Sequence, residues 1–267
     1  MLTIRDLNIF TLKDVNLTVM PGERVGLVGE SGSGKSVTAL SVMGLLSEHP
    51  QSGTVEWQGQ PAWRQRGKEI TMVFQDPFTA LNPTMRIGKQ LCEGAHLSRN
   101  QGVALLRRVG LSGDLFDAYP HELSGGMRQR VAIGIAAAPK PKLLIADEPT
   151  TALDTEIRDE MMQLLQELDC AILLISHDLK MVQSFCSRTV VMYGGQVMEE
   201  FSDAPKHPYT LALLDAMPGN GQLQPIPGSP PMGPIAGCPF HPRCKHATEQ
   251  CSVTRPELNQ GVACWNL

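Results

Sequence analysis

The sequence predicts a largely parallel, doubly wound α/β sheet, and three observations carry that reading. Short apolar runs alternate with helical stretches along most of the chain. One of those runs, Arg24–Val28, leads into a glycine-rich loop that opens a helix. The last 50 residues break the pattern, because nine of the 20 prolines and four of the seven cysteines fall there. A long body is therefore expected over residues 1–217 and a short tail of different character over 218–267.

The elements follow in order. Leu2–Phe10 and Val15–Met20 read as strands, and in the second Val15, Leu17 and Val19 alternate with Asn16 and Thr18. Pro21-Gly22 marks a turn, Arg24–Val28 a short apolar strand, and Lys35–Leu46 a helix. Gly53–Trp57 and Ile70–Phe74 are further strands. From about Pro83 the pattern turns helical, with loops at Asn82-Pro83 and Asp117–Pro120. Ser124 is a good cap for a helix running to Ala138, so a helical insertion is expected over about 83–138. Then come a strand (Leu143–Asp147), a helix (Thr155–Asp169), a strand (Ala171–Ser176) and a helix (Asp178–Cys186). Thr189–Tyr193 and Gln196–Glu200 flank Gly194-Gly195 as a hairpin, and His207–Ala216 is a last helix. The sequence has no internal repeat.

Composition narrows the class. At 267 residues the chain has room for one large domain with a small appendage. Hydrophobic residues at 42% and charged residues at 19% exclude a disordered or fibrous chain. No apolar run approaches the ~18 residues that span a bilayer. The start, Met1-Leu2-Thr3-Ile4-Arg5-Asp6, lacks a signal-peptide profile, so a cytosolic location is expected. A net charge of −4 gives no general attraction to nucleic acid.

Three motifs carry chemistry. Gly29-Glu30-Ser31-Gly32-Ser33-Gly34-Lys35-Ser36 fits the G-x-x-x-x-G-K-[ST] phosphate loop, between a strand and a helix. Its glycines let backbone N–H groups turn toward phosphate oxygens, and the helix start adds partial positive charge. Lys35 is placed to reach the β- and γ-phosphates and Ser36 to ligate Mg²⁺. Leu143–Asp147 is a buried-type strand ending in Asp147-Glu148; paired with the loop, Asp147 becomes a Mg²⁺ holder and Glu148 the group that polarises an attacking water. Ser124-Gly125-Gly126 at a second helix start is another anion-binding device. One nucleotide needs only one phosphate loop, so two copies facing each other are expected.

Leu123-Ser124-Gly125-Gly126-Met127 resembles the signature of the ATP-binding cassette (ABC) family of transport ATPases, departing from LSGGQ at Met127. The resemblance covers residues 1 to about 217. It implies a P-loop NTPase fold: a RecA-like core, an antiparallel β subdomain and a helical insertion. By the same resemblance Gln75 looks like a Q-loop glutamine that contacts Mg²⁺ and water, Ala152-Leu153-Asp154 like the D-loop, and His177 like the switch histidine at the γ-phosphate. Phe10 is the nearest match to the adenine-stacking aromatic. The implied mechanism sandwiches ATP and Mg²⁺ in a head-to-tail dimer, with Ser124 and Gly126 closing over the partner's nucleotide.

The tail adds Cys238, Cys244, Cys251 and Cys264. In a reducing compartment four thiolates suit Zn²⁺ or an iron–sulfur cluster, and the absence of a C-x₂-C pair tilts the reading to iron–sulfur; four free thiols are the alternative. His207-Pro208-Tyr209-Thr210, Ile226–Pro231 and the Gly237–Cys244 segment resemble the oligopeptide/dipeptide/nickel branch of import ATPases, some of which bind a [4Fe-4S] cluster through such cysteines. The compact body leans slightly toward nickel or metal chelates over peptides. The resemblance implies two permease subunits, an extracytoplasmic binding protein, a second and different ATPase, and a peripheral place on the cytoplasmic face of the inner membrane. The competing class is a soluble ABC-type ATPase acting in translation, DNA repair or cluster assembly.

Overall fold

The computed structural model describes residues 1–48, 50–150, 154–217, 225–231, 233 and 235–267. In chain order it places β1 (Leu2–Ile9), β2 (Leu12–Val19), β3 (Arg24–Val28), α1 (Lys35–Met43), β4 (Ser52–Trp57), β5 (Gln60–Pro61) and β6 (Ile70–Val73). There follow α2 (Pro77–Ala80), α3 (Ile87–Glu93), α4 (Arg99–Arg108), α5 (Gly125–Ala137), β7 (Leu143–Asp147), α6 (Thr155–Gln166) and β8 (Ala171–Ser176). The last elements are α7 (Leu179–Phe185), β9 (Arg188–Tyr193), β10 (Gln196–Phe201), α8 (Pro208–Asp215) and α9 (Glu249–Val253). The chain divides into two compact units, residues 1–62 with 174–267, and residues 63–173. The expected body–tail boundary near Pro218 lies outside the described residues.

In the first unit, β2-β1-β4-β5 form an antiparallel sheet. β2 begins three residues before the expected Val15. A register shift beside Leu7↔Val15 and a positive φ at Asp14 interrupt the alternation just where the strand starts. Strand β3 pairs with β9 in parallel, from Val25↔Arg188 to Val28↔Val191, and β9 pairs with β10 as the expected hairpin. Arg188 ties these strands together: Nε and Nη1 donate to Glu23 and Glu200 at 2.9 and 2.6 Å, and Nη2 to the Thr18 carbonyl at 2.7 Å.

The tail packs on this unit. Val262 bridges Glu199 of β10, with Glu200 N–H donating to Gly261 O at 2.7 Å and Ala263 N–H to Met198 O at 2.9 Å. The tail thereby covers backbone groups of a sheet edge. Phe240 then joins Tyr193 of β9 and Tyr209 of α8, with ring centroids 4.5–5.4 Å apart.

In the second unit, the wholly buried strands β6 and β7 pair in parallel from Ile70↔Leu143 to Val73↔Ala146. Helix α4 starts with a capping box between Ser98 and Gln101. Phe116 lies flat against Gly88 of α3 and Gly102 of α4, where added Cβ atoms would come within 2.3 and 2.7 Å of its ring. Helix α5 begins at its expected cap, Ser124, whose Oγ accepts the Met127 N–H at 3.3 Å. No helix among the described residues is long and apolar enough to cross a membrane.

Candidate functional site

The phosphate loop leaves the carboxyl end of β3. Gly29 sits at φ 154, where a Cβ would lie 2.2 Å from the Met192 carbonyl oxygen, so only glycine lets the chain turn here. Gly34 caps α1 at φ 106. Lys35 is 7% exposed; its Nζ donates to Gly29 O at 2.7 Å and to Glu30 O at 3.0 Å. Ser33 is buried, and its N–H donates to Glu30 O at 3.1 Å. Ser31 and Gly32 are exposed at the loop's tip, and Ser36 is half-buried in the first turn of α1. The loop thus offers exposed backbone, an ammonium and a hydroxyl at one helix start, the equipment that binds phosphate.

His177 also belongs to this unit. It is exposed, one residue past the carboxyl end of β8. Asp178 fixes the start of α7, its Oδ1 accepting the Met181 N–H at 3.0 Å. Phe10 lies in the β1–β2 turn at φ 51 and is 45% exposed.

In the second unit, Asp147 ends β7 and is 4% exposed. Glu148 follows at φ 49, a left-handed conformation uncommon for a residue other than glycine and frequent at functional sites. Because Val73 pairs with Ala146, Gln75 and Glu148 each lie two residues past paired positions and leave the same end of adjacent parallel strands. Ligands of open α/β sheets bind outside those carboxyl ends. Ser124 is exposed, Gly125 half-buried and Gly126 buried at the start of α5. Ala152 and Leu153 of the expected D-loop lie outside the described residues; Asp154 precedes α6. Ser36 hydroxyl, Gln75 amide and Asp147 carboxylate are all hard oxygen donors, the set Mg²⁺ prefers.

The four tail cysteines do come together. Cys238, Cys244, Cys251 and Cys264 line one cavity of about 10 Å³ with His207 and His241. The expected metal centre finds no support here: among the described residues no group of three or more His, Cys, Asp or Glu side chains is arranged to hold an ion. Burial pushes the Cys238 thiol up to about 11 and raises that of Cys244. Two of the thiols take hydrogen bonds, Cys251 Sγ with Thr248 Oγ1 at 3.3 Å and Cys264 Sγ from the Asn266 N–H at 3.5 Å.

Sequence reasoning missed Arg243, whose guanidinium grips Glu30 of the phosphate loop from 213 positions away. It also missed the part played by His207. That residue is buried and accepts the Tyr209 N–H on Nδ1 at 3.0 Å, capping α8. Burial lowers its pKa to about 4. The only hint in the sequence was a histidine directly before the Pro208 that opens the helix.

Comparison with known proteins agrees with this geometry. Residues 12–151 match the ABC transporter family, and residues 196–251 match the oligopeptide/dipeptide transporter C-terminal region. The oligopeptide transport ATP-binding protein OppD of Haemophilus influenzae is 42% identical over 95% of this chain and 90% of its own length. The dipeptide transport ATP-binding protein DppD of Escherichia coli is 43% identical over 92% of this chain and 86% of its own. Among solved structures, the dimeric ATP-binding cassette MJ0796 bound to ADP and Pi superposes with a TM-score of 0.68 at 27% identity, covering 77% of this chain and all of that one. The lean toward nickel finds no support in these matches, nor does a soluble ATPase outside transport. The chain belongs to the ABC transporter family, as an ATP-hydrolysing subunit that carries the oligopeptide/dipeptide type of C-terminal region.

Proposed function

We propose that this chain energises the import of di- or oligopeptides. The observation that carries the cargo reading is the match of residues 196–251 to the oligopeptide/dipeptide C-terminal region, a match that a general ATPase would not need. The chain is read as an ATPase body over 1–217, with a helical insertion at about 83–138, and a tail over 218–267.

In this reading the loop 29–34 and Lys35 hold the phosphates of ATP. Ser36, Gln75 and Asp147 would hold Mg²⁺, which neutralises phosphate charge when bound. Glu148 takes the proton of the attacking water, His177 steadies the γ-phosphate end, and Phe10 stacks on the adenine. Ser124, Gly125 and Gly126 close over the nucleotide of a second ATPase subunit, a different chain in this reading. ATP binding draws the two together and hydrolysis releases them. Two permease subunits convert that motion into alternating access, and an extracytoplasmic binding protein delivers the peptide. The subunit sits peripherally on the cytoplasmic face of the membrane.

The test is hydrolysis by the reconstituted transporter. Peptide-loaded binding protein should stimulate ATP turnover severalfold; stimulation by nickel or a nickel chelate, with none by peptide, would overturn the cargo reading. The same preparation tests the tail. An iron–sulfur cluster would take the four thiols as thiolates. Broad visible absorbance, lost in Cys238→Ser, would support that reading; stoichiometric zinc or four titratable thiols in a colourless protein would refute it.

A further inference from the structure

Glu30 is the second residue of the phosphate loop, and the tail holds it from outside. Arg243 Nη1 donates to Glu30 Oε2 at 2.6 Å, and Nη2 to Oε1 at 3.1 Å. The Glu30 N–H donates to Tyr209 Oη at 2.8 Å. Arg243 is itself fixed: Nη1 also donates to Tyr193 Oη at 2.9 Å, Nε to Pro227 O at 2.7 Å and Nη2 to Ile226 O at 3.3 Å. Its side chain is 5% exposed and that of Glu30 25%. This is a bidentate pair whose planar fork has no freedom to wander, unlike an ordinary surface ion pair.

The other side of Glu30 faces the phosphate-binding ammonium. Its carbonyl oxygen accepts from Lys35 Nζ at 3.0 Å and from the Ser33 N–H at 3.1 Å. One residue therefore links the tail's guanidinium to the lysine of the loop. Two consequences follow. The loop's start is held in one conformation, and converging N–H groups bind phosphate well only when so held. Arg243 also neutralises a carboxylate that would otherwise stand beside a polyanion.

We propose that Arg243 and Tyr209 are positioning residues for the phosphate loop, through which the C-terminal segment sets the affinity for ATP. The inference rests on the reading that this loop binds ATP. It assigns neither residue to the chemical step, so binding and KM should move while kcat changes little.

The experiment measures Mg-ATP binding by the full-length chain and steady-state hydrolysis in the reconstituted complex. Arg243→Gln should weaken ATP binding about tenfold, a coupling of ordinary size, with kcat within a factor of about two. Arg243→Lys should recover part of the loss. The double variant Glu30→Gln/Arg243→Gln should bind ATP better than Arg243→Gln alone, because it removes the bare carboxylate; a purely structural role predicts the reverse. Wild-type affinity in a folded Arg243→Gln, or a double variant weaker than the single, would overturn the proposal. Where Arg243→Gln fails to fold, Tyr209→Phe keeps the ring and removes the acceptor of the Glu30 N–H; its KM for ATP should rise, and an unchanged KM would overturn the proposal as well. Absence of ATP binding by the unaltered chain would instead refute the ATP reading of the loop.

Discussion

Glu148 joins a strained backbone to the role of base proposed for it. Its left-handed backbone at the end of a buried strand costs on the order of 1–3 kcal/mol, which the surrounding structure must offset. The carboxylate follows Asp147 at the carboxyl end of β7, and the proposed role for it is that of the base. Glu148→Gln keeps the shape and removes the proton acceptor. It should bind Mg-ATP as the parent chain does, while steady-state phosphate release falls by at least about 10²-fold. Normal turnover in that variant would remove Glu148 from the reaction. Residues of this kind are legible in the sequence because their motifs are local: eight consecutive residues define the phosphate loop and six the acidic strand end. The Glu30–Arg243 pair was not legible, because each partner is ordinary in its own neighbourhood and only folding across 213 positions joins them.

At the scale of elements, pattern worked where a strand is buried on one or both faces. Strands β3, β6, β7 and β8 lie within one residue of their expected limits because each is a short, mostly apolar run. Strand β5, at two residues, is too short to have a period, and β2 lost its start to a register shift. Packing between elements leaves a different trace. Gly26 lies in the middle of β3, where a Cβ would sit 2.0 Å from Val182 Cγ1 of α7. The glycine is there so that the helix can approach the strand, not for its backbone freedom. Gly26→Ala should lower stability by about 1–3 kcal/mol, as overpacking does, seen as a lower urea midpoint at nearly constant slope. Adding Val182→Ala should restore much of the loss, since the two sites are in contact and their effects are not additive. Equal loss in both variants would place the strain elsewhere.

At the scale of the whole molecule, the tail behaves as part of the first unit. A segment of this length is too small for a core of its own. The structure supplies a core by borrowing: Phe240 packs on Tyr193 and Tyr209, and Val262 bridges β10. His207 stands where these parts meet. Its backbone N–H donates to Glu199 Oε1 at 3.0 Å, its ring caps α8, and it lines the cavity of the four cysteines. Burial holds the ring neutral, with a pKa of about 4 against an ordinary 6.5. The unfolded chain therefore binds a proton below pH 6.5 that the folded chain refuses until about pH 4. The stability carried by the neutral ring is complete above pH 6.5 and falls as the pH drops toward 4. At pH 5 the loss is on the order of 2 kcal/mol. Asp14 and Glu23, whose pKa values are lowered from ordinary values of 3.8 and 4.5, add their own losses only as the pH falls through the carboxylate range, below the pH 7 to 5 interval. Melting temperature should therefore fall between pH 7 and 5. His207→Asn retains an acceptor suited to the Tyr209 N–H and has no proton to gain, so it should flatten that slope. A slope unchanged in His207→Asn would assign the acid sensitivity to another group and the buried histidine to packing alone.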